Sequence, residues 1–538
     1  MPATTPAPDE SASEIEANLL RLGTLPAWLL APLQAATVAD ALRQAVPELA
    51  DGRLALKNCK IKRMLLKEDG RWVGSYTLAL DDPAAGKRSL VLRGTFTPLL
   101  LRAGEPATPP EQPLGSPEWR CALPALGLLL EIEPPESELA AMPQLTDPEI
   151  SRQMLEHSIG QSAPGYADLR LAACRPEVLS YKPGSRCTLR YHLAYPPELA
   201  ERGWPSTVIA KTYRKDSKGR NAYEGMAALW ATPLAASPTV ALAEPLAYIP
   251  GVKVMVQGPV AGDQSLEELL KAALADDTPA AAATLDGYMR RAAAALAELH
   301  LSGVRHGETV SLGERYAELH ELVARLLAVA PELRGAAEPA LTQLEALAAA
   351  TPADALVPTH GTFNPEQVLI DGERVGIIDF DDMCMAEPAF DVGLFRAAIK
   401  DIGMNALDDQ QARDLAVRQA RLARLDAIGE VFLAHYESLA PISRTRVALW
   451  EAWSYLRDTL HFWIKAKPAE PDNGLLMLLG QLGQIGLLAQ SPAQPKARQP
   501  RRQPATLSNR MVAFASALMA AGFLDEAADI IGDLMILL

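Results

Sequence analysis

Two apolar runs, Val368-Leu-Ile370 and Val375 to Ile378, flank Asp371-Gly372. Short β-branched runs around Asp-Gly form the pattern of a tight β-hairpin, because glycine supplies the positive φ such a turn needs. The hairpin fixes what precedes and follows it. It holds Thr359-His-Gly-Thr-Phe-Asn-Pro-Glu-Gln367 at one end beside Asp379-Phe-Asp-Asp382 at the other. A loop amide next to a strand-ending carboxylate can ligate Mg²⁺ through oxygen. Mg²⁺ in such a place neutralises phosphate charge during transfer.

The rest of the chain must supply a body for this hairpin. At 538 residues it has room for about three or four domains. Hydrophobic residues are 49% and charged residues 22%, which excludes wholesale disorder. The five cysteines are scattered and no Cys-x-x-Cys occurs, so neither a disulfide framework nor a zinc site is expected. Net charge −15 argues against a nucleic-acid partner. No run reaches the roughly 18 apolar residues of a membrane span, and Met511 to Leu524 comes nearest. The first 13 residues lack the basic and apolar regions of a secretory signal. The expectation is a cytoplasmic protein with no membrane contact.

Composition shifts divide the chain. Residues 1–13 read as a disordered leader and 14–145 as an N-terminal mixed α/β domain. In the latter, helical spacing at Ile15, Leu19, Leu33, Val38 and Leu42 gives way to β-rich segments at 71–80 and 89–96. Residues 146–262 read as a small β-rich lobe: a helix near Asp147, a hairpin around Lys182-Pro-Gly-Ser185, the strand Thr207-Val-Ile-Ala-Lys-Thr-Tyr213, a helix ending at Trp230 and a strand ending at Gln257. Residues 263–488 read as a helical lobe interrupted by the Asp-Gly hairpin. A Pro/Arg-rich linker (489–506) and a helical hairpin (507–538) close the chain. The stretch from Gly70 to Phe96 parallels that from Gly184 to Tyr213, with Gly94 aligned opposite Lys211. The N-terminal domain is therefore expected to carry a degenerate copy of the small-lobe β-unit, and two unrelated meanders are the alternative.

The motifs His360-Gly-x-x-x-x-x-Gln367, Ile378-Asp-Phe-Asp381 and Glu387-Pro-Ala-x-Asp391-x-Gly393 resemble the catalytic core of the aminoglycoside phosphotransferase and choline kinase group. The resemblance covers roughly 170–465. It implies an α+β, protein-kinase-like bilobal domain with a small β-rich lobe and a large helical lobe, using ATP and Mg²⁺. By the same resemblance, Asp379 serves the metal–phosphate centre and Gln367 stands where the family has its metal-binding Asn. Lys211 contacts the nucleotide phosphates, and Glu224 on the next helix is its partner. The segment Val256 to Gly262, with Gln257 and Val260, grips adenine. His360 is a structural hydrogen-bonder, and Asp391 holds backbone amides of the catalytic loop.

One position departs from the family. Where it has an Asp after His-Gly to accept the substrate's proton, this chain has Thr362. A threonine hydroxyl is no base at neutral pH, and general-base help is worth about 10²–10⁴-fold. Three readings follow: a slow kinase, a kinase whose base has moved to Asp381 or Asp382, or a nucleotide-binding pseudokinase with a regulatory or partner-binding role. The leading expectation is a phosphotransferase acting on a hydroxyl of a small molecule such as a sugar, amino alcohol or aminoglycoside-like compound. Asp381, Asp382 and Glu387 would suit a cationic acceptor. The terminal hairpin either docks in cis or binds a protein partner, since one such helix pair cannot bury its own apolar face.

Overall fold

The computed structural model describes residues 8–487, apart from 84–85, 103, 134–138, 183, 277 and 467–472. The linker and helical hairpin expected at 489–538 lie outside the described residues, as do residues 1–7.

The N-terminal region opens with α1 (Pro8–Leu20), α2 (Ala27–Leu30), α3 (Ala35–Ala45) and α4 (Pro47–Ala50). Helix thus begins inside the span expected to be a disordered leader, and it does so because Ala12 and Ile15 reach the core. The stretch Ala12–Ala45 has the length and apolar composition of a membrane span. The chain instead breaks it with 3₁₀ turns and turns Leu19, Leu29, Val38 and Leu42 inward.

These helices lie against a five-stranded antiparallel sheet: β1 (Ala55–Leu66), β2 (Trp72–Asp82), β3 (Gly86–Phe96), β4 (Arg120–Leu123) and β5 (Leu128–Ile132), in the order β1-β2-β3-β5-β4. Strand β2 alternates strictly between buried and half-buried positions, which turns Trp72, Tyr76, Leu78 and Leu80 into one apolar face.

After α5 (Met142–Thr146), Asp147 caps α6 (Pro148–Ser162) by accepting from Glu149 N and Ile150 N. A second five-stranded antiparallel sheet follows: β6 (Ala173–Lys182), β7 (Arg186–Ala194), β8 (Thr207–Tyr213), β10 (Pro245–Ile249) and β11 (Val254–Gln257), ordered β10-β11-β8-β7-β6. Helix α7 (Asp216–Trp230) and the short β9 (Val240–Leu242) lie between β8 and β10 in the chain.

The two sheets have the same connectivity. In each, three consecutive antiparallel strands are joined by two more whose spatial order is reversed. In each, the last two strands are linked by a Pro-led 3₁₀ turn ending in a left-handed residue, Gly127 (φ 59°) or Lys253 (φ 54°). Tyr76 on β2 donates to Pro32 O, three residues before α3, and Tyr191 on β7 donates to Leu145 O, three residues before α6; both bonds are 2.9 Å. Tyr76 pairs with Leu92 and Tyr191 with Val208. Counting three residues on from those partners sets Thr95, rather than Gly94, at the position of Lys211.

The helical region comprises α8 (Leu266–Ala275), α9 (Pro279–His300), α10 (Leu312–Leu327), α11 (Glu338–Ala350), α12 (Ala389–Asn405), α13 (Asp409–Arg413), α14 (Leu415–Leu439), α15 (Arg444–Ile464) and α16 (Asn473–Gln484). Ser265 and Ser311 open α8 and α10 with reciprocal capping boxes to Glu268 and Glu314. Set among the helices are β12 (Gln264–Ser265), β13 (Val357–Thr359), β14 (Val368–Asp371), β15 (Arg374–Ile377) and β16 (Cys384–Ala386). The Asp371-Gly372 hairpin is β14–β15, and β15 also pairs in parallel with β9.

Packing joins the N-terminal sheet to the helices. Leu78, Leu92 and Phe96 belong to the same continuous core as Trp450, Leu456 and Leu460. Trp72 Nε1 donates to Trp463 O (3.2 Å), Trp463 Nε1 to Leu22 O (2.7 Å), and Arg325 Nη2 to Leu66 O (2.6 Å). The second sheet has a core of its own, formed by Leu155, Ile159, Leu189, Tyr191, Val208 and Val256. A cleft between separately packed bodies is the usual location of a ligand site.

Candidate functional site

Lys211 leaves β8 on the face opposite its buried neighbours Ala210 and Thr212. Its ammonium group donates to Asp379 Oδ1 and, at 3.3 Å, to Asp381 Oδ1. Tyr213, two residues on, donates to the same Asp381 oxygen at 2.6 Å. Arg186, paired across the strands with Tyr213, brings Nη1 to 4.0 Å from Asp381 Oδ2. The carboxylate of Asp381 is 3% exposed and that of Asp379 29%.

This cluster sets the two carboxyl groups apart. Burial raises the Asp381 carboxyl, the Asp379 charge adds to it, and Lys211 only partly offsets both. Burial also works against the Asp379 anion, but the charge and hydrogen bond of Lys211 outweigh it and hold that carboxyl below its ordinary value. Tyr213 is held as a neutral donor by burial and by the Asp381 carboxylate.

Asp379 sits in the left-handed region (φ 73°, ψ 52°), which Asp tolerates better than most residues. The conformation turns the chain so that Asp379 faces Lys211 while Phe380 enters the core and packs on His360, ring centroids 4.8 Å apart. His360 is fully buried, which lowers its pKa and keeps the ring neutral, and its Nε2–H donates to Ile378 O at 2.9 Å. Asp391, at the start of α12, accepts from His360 N (2.6 Å), Gly361 N (2.9 Å) and His300 Nε2 (3.1 Å). His360 and Asp391 therefore act as the sequence suggests, as scaffold. Gly361 has φ 85°, and a Cβ there would lie 2.0 Å from Asp382 O, so only glycine lets the loop rest on the Asp379–Asp382 turn.

The hairpin register places Gln367 next to that turn: Val368 pairs with Ile377, and Ile378 N donates to Gln367 O at 3.1 Å. Gln367 Nε2 donates to Thr362 Oγ1 at 3.3 Å, and Gln367 Oε1 is buried with no hydrogen-bond partner. An orphaned amide oxygen and a carboxylate carried by adjacent strand ends are of the donor type that fits Mg²⁺. Among the described residues no group of three or more His, Cys, Asp or Glu could hold a metal, so these two side chains would need phosphate or water oxygens to complete the sphere.

Three expectations need correction. Glu224 lies exposed on α7, and the carboxylate partners of Lys211 are Asp379 and Asp381 instead. Asp381 is buried under Lys211 and Tyr213, where it cannot reach an acceptor hydroxyl as a relocated base. Asp382 is half-exposed but its carboxylate faces Lys218 of α7 at 3.1 Å. Glu387 is 3% exposed and bound by Arg446 and by Trp450 Nε1 (2.6 Å), so it offers no charge to a cationic acceptor.

Gln257 is buried at the end of β11, opposite Ile209 of β8. Val260 is half-buried against Gly376, where a Cβ would come within 2.4 Å of its Cγ1. Tyr213 was not singled out for the site, and Arg186 enters it from the Tyr181 to Arg190 hairpin, which the resemblance sets over the nucleotide. Tyr213 could have been found from the strand rule that places i and i+2 on one face, and Arg186 from its place opposite Tyr213 in the hairpin.

Residues 204–441 match the model of the phosphotransferase enzyme family, which bears out the resemblance carried by the motifs. Similar solved structures include a choline/ethanolamine kinase family protein from Mesorhizobium loti, with 18% identity over 59% of this chain and 88% of that one and a TM-score of 0.35. A choline kinase from Streptococcus pneumoniae aligns at 15% identity over 60% and 95%, with a TM-score of 0.37. A glucosamine kinase in complex with glucosamine, ADP and inorganic phosphate aligns at 13% identity over 83% and 98%, with a TM-score of 0.41. No curated protein matches the chain. The fold is α+β, bilobal and kinase-like, with the second sheet as its small lobe and the helical region as its large one.

Proposed function

We propose that this phosphotransferase-family chain carries an ATP- and Mg²⁺-dependent kinase site for a hydroxyl of a small molecule, at the seam between the small β-lobe and the helical lobe. One observation carries the reading. An ammonium group from β8 and a carboxylate from the turn after β15 meet, and the end of the strand paired with β15 holds a buried amide oxygen that has no partner of its own. Lys211 would neutralise phosphate oxygens, and Asp379 with Gln367 Oε1 would hold Mg²⁺. When bound, the metal supplies further neutralisation of the triphosphate. The chain's own contribution is positional: Asp391 fixes the catalytic loop, Asp381 and Tyr213 fix Lys211, and Gln257 to Val260 border the place for the base. Phosphoryl transfer depends mainly on positioning and charge stabilisation, so such a site works without a strong base, though slowly.

The Thr362–Gln367 hydrogen bond favours a second reading, a nucleotide-binding pseudokinase, because the residue in the base position is tied to the metal-ligand position. Transfer of the γ-phosphoryl group from ATP to a panel of sugars, amino alcohols and aminoglycosides separates the two. A kinase gives product that Asp379→Ala abolishes. A pseudokinase binds ATP and gives none.

We infer that the N-terminal sheet is a degenerate copy of the small lobe. The shared connectivity, the two matching tyrosine bonds and the matching left-handed turns support that reading. Thr95 in place of the lysine leaves it no phosphate contact, and its apolar face has become a buttress for α15.

A further inference from the structure

Helix α7 is tied to both lobes. On the sheet side, Tyr248 of β10 donates to Asp216 O at 3.2 Å, and Gly219 lies against the Tyr213 ring, where a Cβ would come within 2.8 Å of Cδ2. On the other side, Ala222, Met226 and Leu229 are buried in the core that the helical lobe shares with the N-terminal sheet.

Asn221 is bound twice by the helical lobe. Its Nδ2 donates to Met383 O (3.2 Å), just beyond the Asp379–Asp382 turn, and its own carbonyl accepts from His306 Nε2–H (2.9 Å). The fit around Met383 is close. One turn on along α7, a Cβ on Gly225 would be 2.7 Å from Met383 Sδ and 2.8 Å from His306 Cδ2. Gly307 (φ 85°) brings the loop after α9 against the same carbonyl, and a Cβ there would lie 2.5 Å from Met383 O. That loop also pairs with the segment that follows: Met385 N donates to Glu308 O and Val310 N to Met385 O, each at 2.8 Å.

Lys211 comes from the small lobe and Asp379 from the helical lobe, so their separation depends on what joins the two. The exposed Lys218–Asp382 pair contributes little to that. A hydrogen bond to the carbonyl of a buried residue such as Met383 is costly to lose. We propose that Asn221 is a positioning residue: through Met383 and His306 it holds the Asp379 turn against α7, within reach of Lys211. The inference rests on the kinase reading of the cleft, and adds to it the residue that sets the metal carboxylate against the phosphate lysine.

The test is titration calorimetry of the full-length protein with ATP, once in EDTA and once in Mg²⁺. In EDTA the nucleotide relies on Lys211, and Mg²⁺ adds what Asp379 contributes. Asn221→Leu removes the donor at similar volume, and Gly225→Ala pushes α7 off Met383. Each should cut the gain from Mg²⁺ by about tenfold or more and leave the affinity in EDTA within about twofold of the parent. Glu224→Leu, exposed on the same helix, should change neither. The inference is overturned if Mg²⁺ raises affinity in folded Asn221→Leu as much as in the parent; if that variant does not fold, Gly225→Ala decides on the same terms. It is also overturned if both affinities fall together, which would make Asn221 a general prop of the small lobe. A parent protein that binds ATP no better in Mg²⁺ than in EDTA would instead remove the metal reading itself, and this inference with it.

Discussion

Gln367 turns its amide nitrogen to the Thr362 hydroxyl at 3.3 Å and leaves its oxygen without a partner. Thr362 thereby orients Gln367, the side chain proposed to meet the metal. A carboxylate at 362 could accept both the amide hydrogen and a substrate proton. Thr362→Asp is expected to raise phosphoryl transfer by about 10²-fold or more, in keeping with general-base contributions. Steady-state turnover with ATP and an acceptor hydroxyl checks this. No gain in a variant that still binds ATP would mean that the missing base does not limit the reaction.

Lys211 is anchored by Asp381, which Tyr213 holds in turn, while Glu224 lies in solvent. Hydrogen bonds to charged groups contribute about 1.5–3 kcal/mol each. Asp381→Asn should therefore weaken ATP binding by about tenfold or more, whereas Glu224→Ala should leave it unchanged. Titration calorimetry with ATP measures both. The reverse pattern would return the anchoring role to α7.

Tyr76 and Tyr191 make the same buried hydrogen bond in two sheets of the same connectivity. Tyr76→Phe and Tyr191→Phe each leave a buried carbonyl short of a donor. Each is expected to cost about 1–3 kcal/mol in urea unfolding. A cost confined to one of the two would break the equivalence on which the duplication reading rests.

Burial, reinforced by Lys465 and Arg457, holds the His461 imidazole down at about 4. An unfolded chain has its histidines near ~6.5. Between those values the unfolded state takes up a proton that the folded state refuses. Stability present above about pH 6.5 should thus fall as the pH drops toward 4. Denaturant midpoints measured across that window should decline, and less steeply in His461→Gln. An identical slope in the variant would assign the loss to other groups.

The hairpin at the site was legible because apolar alternation and Asp371-Gly372 are local signals, and the placement of Gln367 beside Asp379 follows from its register. Strand β1 was harder to read. Its lysines at 57, 60 and 62 and its register shifts at Leu56/Asn58 and Ile61/Arg63 interrupt the period of two that marks a strand. The three-residue β9, paired in parallel with a strand more than a hundred positions away, leaves no local trace. Lys211 itself stood out at the end of an apolar strand. Its anchor did not, because whether Glu224 or Asp381 faces it depends on how α7 sits against the sheet. Glu387 illustrates the same limit: its partner Arg446 is remote in sequence, so a buried ion pair looked like free charge.

Lys211, Gln367 and Asp379 are proposed to meet nucleotide phosphates and Mg²⁺ together. Thermal unfolding with ATP alone, Mg²⁺ alone and both together tests this directly. The melting temperature should rise most with both. Asp379→Ala should remove the part of the shift that requires Mg²⁺, and Lys211→Met should diminish the shift with ATP. A melting temperature that neither ATP nor its Mg²⁺ complex moves would contradict the account.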